Sequence, residues 1–343
     1  MSEWKEYKLG DVAEVKYGKA HQSLADGKIP AYGSGGLMRY VERALYEDES
    51  ILIPRKGTLN NVMYKSEPFW TVDTMFYTRL NKQIIVPKYL FYQLSTIDFA
   101  NMNVGSAVPS MTVSVLNEIE ITVPPLPEQT AIATVLSRLD NKIDLLHRQS
   151  ATLEKMAETL FRQWFVEEAK EEWEVVKMES LISIGSGKGL KKESFIDNGL
   201  YPILGANGEI GRSNEYLFDE KLIYTGRVGT LGNIFRIENE KVWLSDNTLV
   251  IKPVEYFNFI YLILKTSRLE DYNVGSTQPL IRQSDIKEIE VALPSKDKLL
   301  EFESLTDKIF KKIKSNQTQI RTLTALRDTL LPKLMSGEVR VEM

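Results

Sequence analysis

The residue types that most often carry out catalysis are scarce in this chain of 343 residues. Histidine occurs only at His21 and His147, and cysteine is absent. This leaves little room for a Ser/His/Asp or Cys/His mechanism. Neither histidine has a second one at a metal-ligand spacing, so no metal site is predicted. We therefore expect no catalytic residues in this chain.

A glycine-rich stretch, "GSGKGLKK" at 185–192, has some features of a phosphate-binding loop. However, no glycine precedes Gly187-Lys188 at the Walker A spacing, and Gly189 follows the lysine where Ser or Thr is required. The stretch is predicted to be a glycine turn with a basic edge. The sequence also lacks the Asn-Pro-Pro-aromatic and Asp-Pro-Pro-aromatic tetrapeptides, which argues against adenine methylation by this chain alone.

Two hexapeptides place an acidic residue after a tryptophan. They are "WTVDTM" (70–75) and "WLSDNT" (243–248), with the acids at Asp73 and Asp246. We interpret these acids as contacts in a turn or at a strand end rather than as catalytic carboxylates. The similarity of the two hexapeptides has a more general cause.

That cause is an internal duplication, because similar segments recur along the chain at an offset of 169 to 173 positions. The paired segments are "WKEYKLGDVAEVKYGK" (4–19) with "WEVVKMESLISIGSGK" (173–188), "IPAYGSGG" (29–36) with "YPILGANG" (201–208), "PRKGTLNNV" (54–62) with "GRVGTLGNI" (226–234), "NVGSAVPSM" (103–111) with "NVGSTQPLI" (273–281), and "VLNEIEITVP" (115–124) with "SDIKEIEVALP" (284–294). So nearly constant an offset indicates one domain copied with a few small insertions or deletions.

Each copy runs into a segment whose apolar residues recur at alternating spacings of three and four. A sustained period of 3.5 is typical of a coiled coil, the alternative being an ordinary helix on a globular core. Polar residues at Ser150, Thr306, Asn316 and Arg327 interrupt the seam, and such residues can fix its register. The seam residues are Ile132, Leu136, Leu139, Ile143, Leu146, Leu153 and Leu160 in the first segment, and Ile309, Ile313, Asn316, Ile320, Leu323 and Leu330 in the second.

Prolines and capping residues predict where the two long helices begin and end. The first helix is expected from about Glu128, after Pro127, to Phe165, which makes it on the order of 57 Å long. Ser295 is the expected N-cap of the second helix, which should end or kink at Pro332. Antiparallel pairing of the helices is the simplest closed arrangement, with one globular copy at each end.

The globular copies are predicted to be mixed α/β. Short β-branched and aromatic runs at 50–55 and 221–227 indicate strands, and the stretches 87–99 and 257–272 indicate helices. With 43% hydrophobic and 26% charged residues, the composition is that of a soluble globular protein. No apolar run approaches the roughly 18–20 residues that cross a bilayer. The net charge of −4 implies that any basic surface must be local.

Two stretches, "PPLPEQTAIATVLSRLDNKIDLL" (124–146) and "LRDTLLPKLMSGEVRV" (326–341), resemble the two helical regions of the specificity subunits of type I restriction–modification systems. The opening "WKEYKLGDVAEVKYGK", its echo and the "GSxxP" turn before each helix resemble the target recognition domains of that family. The resemblance covers essentially the whole chain. It departs where the second helix begins "LPSKDKLLEF" and the first has "PPLPEQTAIA", so different contacts are expected there.

The resemblance implies an α+β fold in which two duplicated target recognition domains are joined by two helices that pair as an antiparallel coiled coil. The expected boundaries are 1–124 for the first recognition domain, 125–168 for the central helix, 169–294 for the second recognition domain and 295–343 for the C-terminal helix. We refer to residues 1–124 and 169–294 as the first and second copy.

The same resemblance implies a DNA reader and scaffold rather than an enzyme. Each recognition domain would read one half of a bipartite DNA target, and the helices would set the unread spacer and dock two methyltransferase subunits. Those partners would carry S-adenosylmethionine and methylate adenine at N6. Motor-nuclease subunits, using ATP and Mg, would cut unmodified DNA. No cofactor is expected on this chain, and its location should be cytoplasmic, without a membrane partner.

Positions that are identical between the copies should maintain the shared scaffold, whereas base-reading positions are free to differ. Arg, Lys, Asn and Gln in the glycine-rich loops supply donors for phosphates and base edges. Lys19 and Lys188 correspond, so they are expected to bind phosphate, whereas Arg55-Lys56 against Arg227-Val228 suits base readout. The candidates are Lys19, Arg39, Arg55, Lys56, Asn60 and Asn61 in the first copy, and Lys188, Lys191, Lys192, Arg212, Arg227, Asn233 and Gln278 in the second.

Two alternatives remain open at the level of the sequence. A specificity subunit of a type IIG-like system would have the same architecture. A non-catalytic coiled-coil scaffold could instead bind proteins through its two copies. Salt-sensitive binding of the assembled complex to duplex DNA would distinguish a DNA reader from such a scaffold.

Overall fold

The computed structural model describes residues 4–102, 110–228, 232–272 and 280–341, apart from the side chain of Glu270. The chain divides into two compact units, residues 1–147 with 318–343 and residues 148–317. The division falls within both of the long helices. Within the described ranges, no helix is long and apolar enough to span a membrane.

In its described residues, the first unit contains nine strands and three short helices before the first long helix. Its elements are β1 (Lys5–Lys8), α1 (Leu9–Val12), β2 (Ala13–Tyr17), β3 (Asp26–Gly33), β4 (Gly36–Val41), β5 (Ser50–Pro54), β6 (Met63–Lys65), β7 (Trp70–Thr71), β8 (Met75–Leu80), α2 (Pro87–Ser95), α3 (Val113–Asn117), β9 (Glu120–Val123) and α4 (Leu126–Arg162). The predicted strand at 50–55 is thus confirmed. The predicted helix at 87–99 is confirmed as the shorter α2.

Three sheets form from these strands, in the orders β2-β8-β5-β6, β4-β3-β7 and β1-β9. Strand β5 lies inside the first sheet and is buried along its whole length, which explains its run of apolar residues. Its one hydroxyl, Ser50 Oγ, donates to the carbonyl of Thr78 at 2.7 Å. The buried polar group is therefore satisfied across the strand pair.

The second unit repeats this arrangement. Its elements are β10 (Glu174–Lys177), β11 (Ile182–Ser186), β12 (Tyr201–Gly205), β13 (Gly208–Ser213), β14 (Leu222–Gly226), β15 (Ile234–Ile237), β16 (Trp243–Leu244), β17 (Thr248–Pro253), α5 (Phe257–Thr266), α6 (Gln283–Lys287), β18 (Glu290–Leu293) and α7 (Lys296–Met335). The sheet orders β11-β17-β14-β15, β13-β12-β16 and β10-β18 match those of the first unit strand for strand. The predicted duplication is therefore confirmed in three dimensions.

Each unit has one main hydrophobic core, and both long helices contribute to it. In the first unit, Phe76 and Tyr89 pack in a cluster with Ile132 of α4 and Leu334 of α7. In the second unit, the corresponding cluster contains Phe161 of α4 and Phe302 of α7. Each copy is thus completed by helical residues from both halves of the sequence.

The two long helices pack antiparallel within each unit. In the first unit, Arg327 of α7 donates to Asp140 of α4 at 3.0 Å. In the second unit, Asn316 Nδ2 donates to Gln149 Oε1 at 3.0 Å and to Ser150 Oγ at 3.2 Å. Two of the polar residues that interrupt the predicted seam, Ser150 and Asn316, therefore pair with each other across it, as register-fixing groups do. Thr306 instead donates to the carbonyl of Phe302 in its own helix.

The apolar seam residues differ in how far they are buried. Ile132, Leu136 and Leu146 are fully buried, as is the polar Asn316. A helix pair covers only part of each seam side chain where no sheet packs on it, so the others keep some exposure. These half-buried residues are Leu139, Ile143, Leu153, Leu160, Ile309, Ile313, Ile320, Leu323 and Leu330.

The helix ends differ from the predictions by a few residues. Helix α4 begins at Leu126, because Pro127 lies in the first turn, where a backbone N–H has no intrahelical acceptor. Helix α7 includes Pro332 and runs to Met335, so it does not end at that proline. The proline stands within one turn of the helix end. Gly337, in the left-handed conformation, follows and allows the chain to leave the helix.

The other helix ends are explained by local contacts. Ser295 Oγ accepts from the backbone N–H of Lys298 at 3.4 Å, which confirms Ser295 as the N-cap of α7. After Arg162 the first helix continues as one π-helical turn, Gln163–Glu167. In that turn both Trp164 and Phe165 reach the ring of Phe302, at centroid distances of 5.8 and 4.7 Å.

The contacts at the start of the two long helices differ, as the sequences there predict. Gln129 of α4 accepts from the backbone N–H of Val86 at 2.7 Å, just before α2. In the second unit, Glu303 of α7 accepts from the backbone N–H groups of Asn258 and Phe259, at 3.1 and 2.8 Å. Burial raises the pKa of the Glu303 carboxyl, and these two N–H groups oppose that shift.

Replacement of Glu303 by alanine should destabilise the second unit. Because α5 has no side-chain N-cap of its own, the change leaves the N–H groups of Asn258 and Phe259 without an acceptor. We expect a loss of about 1–3 kcal/mol, measured by thermal or urea unfolding. Glu301→Ala, an exposed glutamate on the same helix, is the matched control and should change little. Equal losses for the two variants would contradict this capping role.

Candidate nucleic-acid interface

Four loops of the first copy lie together at one edge of its sheets. They are the loop at Lys19 after β2, the β3–β4 turn at Ser34, the β5–β6 loop from Arg55 and the β7–β8 turn at Asp73. Asn61 in the β5–β6 loop donates to the carbonyl of Ser34 at 2.7 Å, and Arg55 donates to the carbonyl of Asp73 at 3.3 Å. Lys19 N donates to the carbonyl of Thr71 at 2.9 Å. We call these four loops the first loop surface.

The second copy builds a corresponding surface, the second loop surface. It comprises the loop at Lys188, the β12–β13 turn at Asn207, the β14–β15 loop from Arg227 and the β16–β17 turn at Asp246. Asn233 Nδ2 lies 3.3 Å from Asn207 Oδ1, so the same two loops are again tied by an asparagine. Arg227 N donates to the carbonyl of Asn247 at 2.8 Å.

The backbone of the shared Gly-Lys pair is held in the same way in both copies. Trp70 Nε1 donates to the carbonyl of Lys19 at 2.9 Å, and Trp243 Nε1 donates to the carbonyl of Lys188 at 2.6 Å. A Cβ on the preceding glycine would lie 2.2 Å from the Ser245 carbonyl oxygen in the second copy. Only glycine allows this approach, which fixes each lysine and leaves its side chain exposed.

The residues predicted to read bases are placed differently in the two copies. The guanidinium of Arg55 is half-buried, bound to the Asp73 carbonyl and 5.3 Å from the centroid of the Tyr17 ring. Arg227, at the corresponding position, is exposed, and its side chain makes no hydrogen bond or ion pair with the described residues. Next to Arg55 stands the exposed Lys56, where the second copy has Val228. The two surfaces therefore present free cations at different positions.

Ser110 and Leu280, which follow the repeated Asn-Val-Gly-Ser in sequence, lie beside these residues. Lys56 forms a β-bridge with Ser110, and Val228 forms the corresponding bridge with Leu280. Residues 103–109 and 273–279, including the candidate Gln278, lie outside the described residues. Next to these ranges, Met111 N donates to the carbonyl of Arg55 and Ile281 N donates to the carbonyl of Arg227.

Several other candidates have their donor groups engaged within their own copy. Arg39 donates to the carbonyl of Leu24 at 3.0 Å and to Asp26 at 2.7 Å. Arg212 donates to the carbonyls of Gly199 and Leu200, at 2.7 and 3.0 Å, and to Glu209.

Asn60 is engaged through both ends of its amide. Its Nδ2 donates to Asp98 at 3.0 Å, and its Oδ1 accepts from the backbone N–H of Ala100. An engaged donor must break an internal bond before it contacts a ligand. Asn60, Arg39 and Arg212 are therefore weaker candidates than Lys56 or Arg227.

Two remaining candidates and one overlooked residue extend the surfaces. Lys191 and Lys192 are exposed, and their side chains are free of polar partners among the described residues. Tyr17 is 52% exposed and lies beneath Arg55, a position that the sequence candidates did not include. A comparison of the copies could have found it, because Tyr17 precedes the shared Gly-Lys pair and Ser186 takes its place in the second copy.

The two acidic residues and the glycine-rich stretch that could have suggested catalysis or phosphate binding lie in turns. Asp73 and Asp246 occupy the turns that follow Trp70-Thr71 and Trp243-Leu244. The stretch after Gly187-Lys188 leads into a single 3₁₀ turn, Lys192–Ser194, rather than into the α-helix of a phosphate loop. Among the described residues, no cluster of His, Asp and Glu could hold a metal ion.

The chain contains two copies of one mixed α/β domain. Each copy carries a loop surface of basic and amide groups and packs on two long helices. This arrangement defines a duplicated recognition protein. The type I restriction modification DNA specificity domain family matches this chain twice, over residues 1–155 and 170–329. The chain belongs to that family.

Individual relatives match this chain over nearly their whole length. The type I restriction enzyme MjaIX specificity subunit of Methanocaldococcus jannaschii is 28% identical over 408 aligned residues, covering 99% of this chain and 94% of that protein. The HindI specificity subunit of Haemophilus influenzae is 22% identical and covers 99% and 100%. The crystal structure of the type I system S subunit from M. genitalium has a TM-score of 0.70 at 19% identity, over 100% of this chain and 97% of the other. The fold is thus that of this S subunit.

Gly187→Ala should disturb the second loop surface through its backbone. The added Cβ would meet the carbonyl oxygens of Ser245 and Leu244, at 2.2 and 2.4 Å, so the Gly-Lys segment must shift. We expect a loss of about 1–3 kcal/mol in urea unfolding. Gly185→Ala is the matched control, because its Cβ would have no neighbour within 4 Å. The assignment fails if Gly187→Ala is as stable as Gly185→Ala.

Proposed function

We propose that this chain is the DNA-reading specificity subunit of a type I restriction–modification complex. Each copy binds one half of a bipartite target in duplex DNA through its loop surface. The observation that carries this proposal is the relation between the two surfaces. They share the framework that positions Lys19 and Lys188, and they differ in the free donors beside it.

The shared lysines suit contacts to the DNA backbone. Each is anchored by its main chain, through a tryptophan N–H and a glycine that permits close approach, so its flexible side chain extends from a fixed place on the surface. Phosphate contacts orient a protein on DNA without carrying sequence information, and a position common to both copies fits that role. Lys19 and Lys188 would therefore hold the two half-sites in equivalent orientations.

The donors that differ suit contacts to base edges. Arg227 has an exposed guanidinium with no internal partner, and a guanidinium can bind the O6 and N7 atoms of guanine with two hydrogen bonds. In the first copy the exposed cation is Lys56, and Arg55 is held against Asp73 and Tyr17. Two copies with different free donors read different half-sites, which makes the whole target asymmetric.

The two long helices would set the unread spacer and dock the partners. One heptad of helix is about 10.5 Å long, or roughly three base pairs of B-DNA, so helix length would set the spacer in steps. We infer two methyltransferase subunits and motor-nuclease subunits as partners, in the cytoplasm. S-adenosylmethionine, ATP and Mg would be bound by those partners, and this chain would contribute recognition without catalysis.

Mapping of N6-methyladenine in cells that co-express the chain with its methyltransferase subunit would test this function. We expect one bipartite motif with a fixed spacer. Arg227→Ala should relax or abolish recognition in one half of the motif, because the second loop surface loses its free guanidinium. Lys56→Ala should affect the other half, so each variant is the control for the other. Unchanged motifs in both variants, or changes in the same half, would contradict the assignment.

Removal of one heptad from each long helix should shorten the spacer by about three base pairs or abolish methylation. Residues 141–147 and 319–325 are suitable, because a loss of seven residues preserves the phase of each seam. Deletion from one helix alone is the control, and it should impair folding because Asp140 with Arg327 and Ser150 with Asn316 can no longer align at the same time. Methylation with an unchanged spacer after the paired deletion would show that the helices do not set it.

A further inference from the structure

Tyr17, the last residue of β2, is an aromatic side chain that stays 52% exposed beside the first loop surface. Its ring packs on Phe76 of β8, at a centroid distance of 5.1 Å, and the two residues are partners in the strand pairing. Phe76 itself is fully buried in the core of the first unit. The core thus supports the ring, while no described residue forms a hydrogen bond with the Tyr17 hydroxyl.

The guanidinium of Arg55 lies on this ring because of the sheet order. Strands β2 and β5 flank β8 on its two sides, and Ile53 of β5 pairs with Phe76. Since side chains alternate between the faces of a sheet, Arg55, two residues after Ile53, returns to the face that carries Tyr17. Its Cζ atom lies 5.3 Å from the centroid of the Tyr17 ring, within the range of a cation–π contact.

One hydrogen bond within the described residues engages the Arg55 guanidinium. Nη1 donates to the carbonyl of Asp73 at 3.3 Å, whereas Nε and Nη2 have no such partner there. The main chain is fixed on both sides, because Arg55 N donates to the carbonyl of Thr74 at 2.8 Å and the Arg55 carbonyl accepts from Met111 N at 2.9 Å. Nε and Nη2 share one edge of the planar group, and such an edge binds two acceptors at once. Arg55 therefore combines an anchored guanidinium with one available edge.

The second copy lacks this arrangement. Ser186 stands at the end of β11, where the first copy has Tyr17, and its Oγ accepts from Gln283 Nε2 at 3.2 Å. Arg227 occupies the position of Arg55, and among the described residues no aromatic ring lies within cation–π distance of its exposed side chain. The two copies thus carry an arginine at the same place, and only the arginine of the first copy is anchored by a ring.

We propose that Tyr17 is a positioning residue for base readout: its ring holds Arg55 so that the Nε–Nη2 edge binds one guanine of the first half-site. This inference rests on the proposed DNA-reading function and adds a residue and a base to it. The O6 and N7 atoms of guanine are two acceptors in the major groove, spaced to suit one edge of an arginine. A side chain that is already ordered loses less conformational entropy on binding, so part of the discrimination at this base comes from the ring.

The test measures base preference in cells that co-express the full chain with its methyltransferase subunit. Mapping of N6-methyladenine gives the motif, and the methylated fraction at sites that differ from it by one base gives the preference at each position. We expect the half of the motif that Lys56→Ala alters to contain one G·C pair whose preference depends on Tyr17. Tyr17→Ser, which installs the residue of the second copy, should lower that preference about two- to fivefold and leave the other half unchanged.

Three further variants separate the ring from its hydroxyl and from its packing. Tyr17→Phe should keep the natural preference, because the ring remains and the hydroxyl has no partner among the described residues. Tyr17→Leu covers Phe76 with an apolar side chain but offers no aromatic face, so it should relax the preference as Tyr17→Ser does and replaces that variant if the serine impairs folding. Tyr40→Ser is the matched control, since Tyr40 of β4 is also 52% exposed, and it should change no position.

A double-variant comparison shows whether the ring acts through the guanidinium. Arg55→Gln should lower the preference at the same G·C pair about tenfold or more. Adding Tyr17→Ser to Arg55→Gln should then have no further effect, because no guanidinium remains to be positioned. Losses that add in the double variant would indicate that Tyr17 contacts DNA by itself and would overturn the proposal.

The remaining outcomes also decide the question. An unchanged preference in Tyr17→Ser and Tyr17→Leu would overturn the positioning role, and so would a loss in Tyr17→Phe as large as that in Tyr17→Ser. Equal weakening at every position of both halves would show that Tyr17 only maintains the fold, which overturns the role as well. A map of the natural chain without a bipartite motif would contradict the proposed function itself, and the positioning role with it.

Discussion

The packing of α4 against α7 is the contact on which the rest of the structure depends. Neither copy closes its core alone, because Leu334 and Met335 of α7 are buried in the first core and Ala157 and Phe161 of α4 in the second. A buried leucine or phenylalanine contributes about 1.5–3 kcal/mol, comparable to a large share of the 5–15 kcal/mol that stabilises a typical domain. The helix pair is therefore part of both globular folds, as well as a connection.

This dependence constrains what can vary within each copy. Residues of the long helices that touch a copy, such as Gln129 and Glu303, hold the start of α2 and of α5 in place. The loops around Lys56 and Arg227, by contrast, make the contacts described above within their own copy. Substitution there leaves the core intact, so recognition can change while the scaffold is retained. Duplication followed by divergence at these loops gives two surfaces on one framework.

Most of the fold could be predicted from the sequence because repetition supplies information that a single copy lacks. The paired segments revealed the two domains, and the 3.5-residue period revealed the helices. The helix ends could not be predicted to the residue, because Pro127 and Pro332 are tolerated in terminal turns. The sequence also does not show which polar residues of the two long helices pair with each other. Ser150 with Asn316, and Asp140 with Arg327, are far apart in sequence and meet only through antiparallel pairing.

The candidate site was predicted less completely, for a physical reason. Residue type identifies a possible donor, but only the structure shows whether that donor is already engaged. Arg39 and Arg227 are both arginines in or beside glycine-rich turns, yet the first is bound to a carbonyl and a carboxylate and the second is free. Tyr17 was missed because an aromatic residue before a Gly-Lys pair has no donor pattern to mark it. Engagement depends on the tertiary fold and cannot be read from local sequence.

The distribution of charge reconciles an acidic chain with DNA recognition. The net charge of −4 includes carboxylates such as Asp140, which pairs with Arg327 of α7, and Glu154 and Glu158, which pair with Lys265 of α5. Exposed cations, among them Lys19, Lys56, Lys188 and Arg227, lie on the two loop surfaces. Because affinity for DNA rises with the number of counterions released, we expect binding of DNA by the isolated chain to be weak and salt-sensitive. On that expectation, strong binding would require further contacts from partner subunits, which would tie the recognition of the target to assembly of the complex.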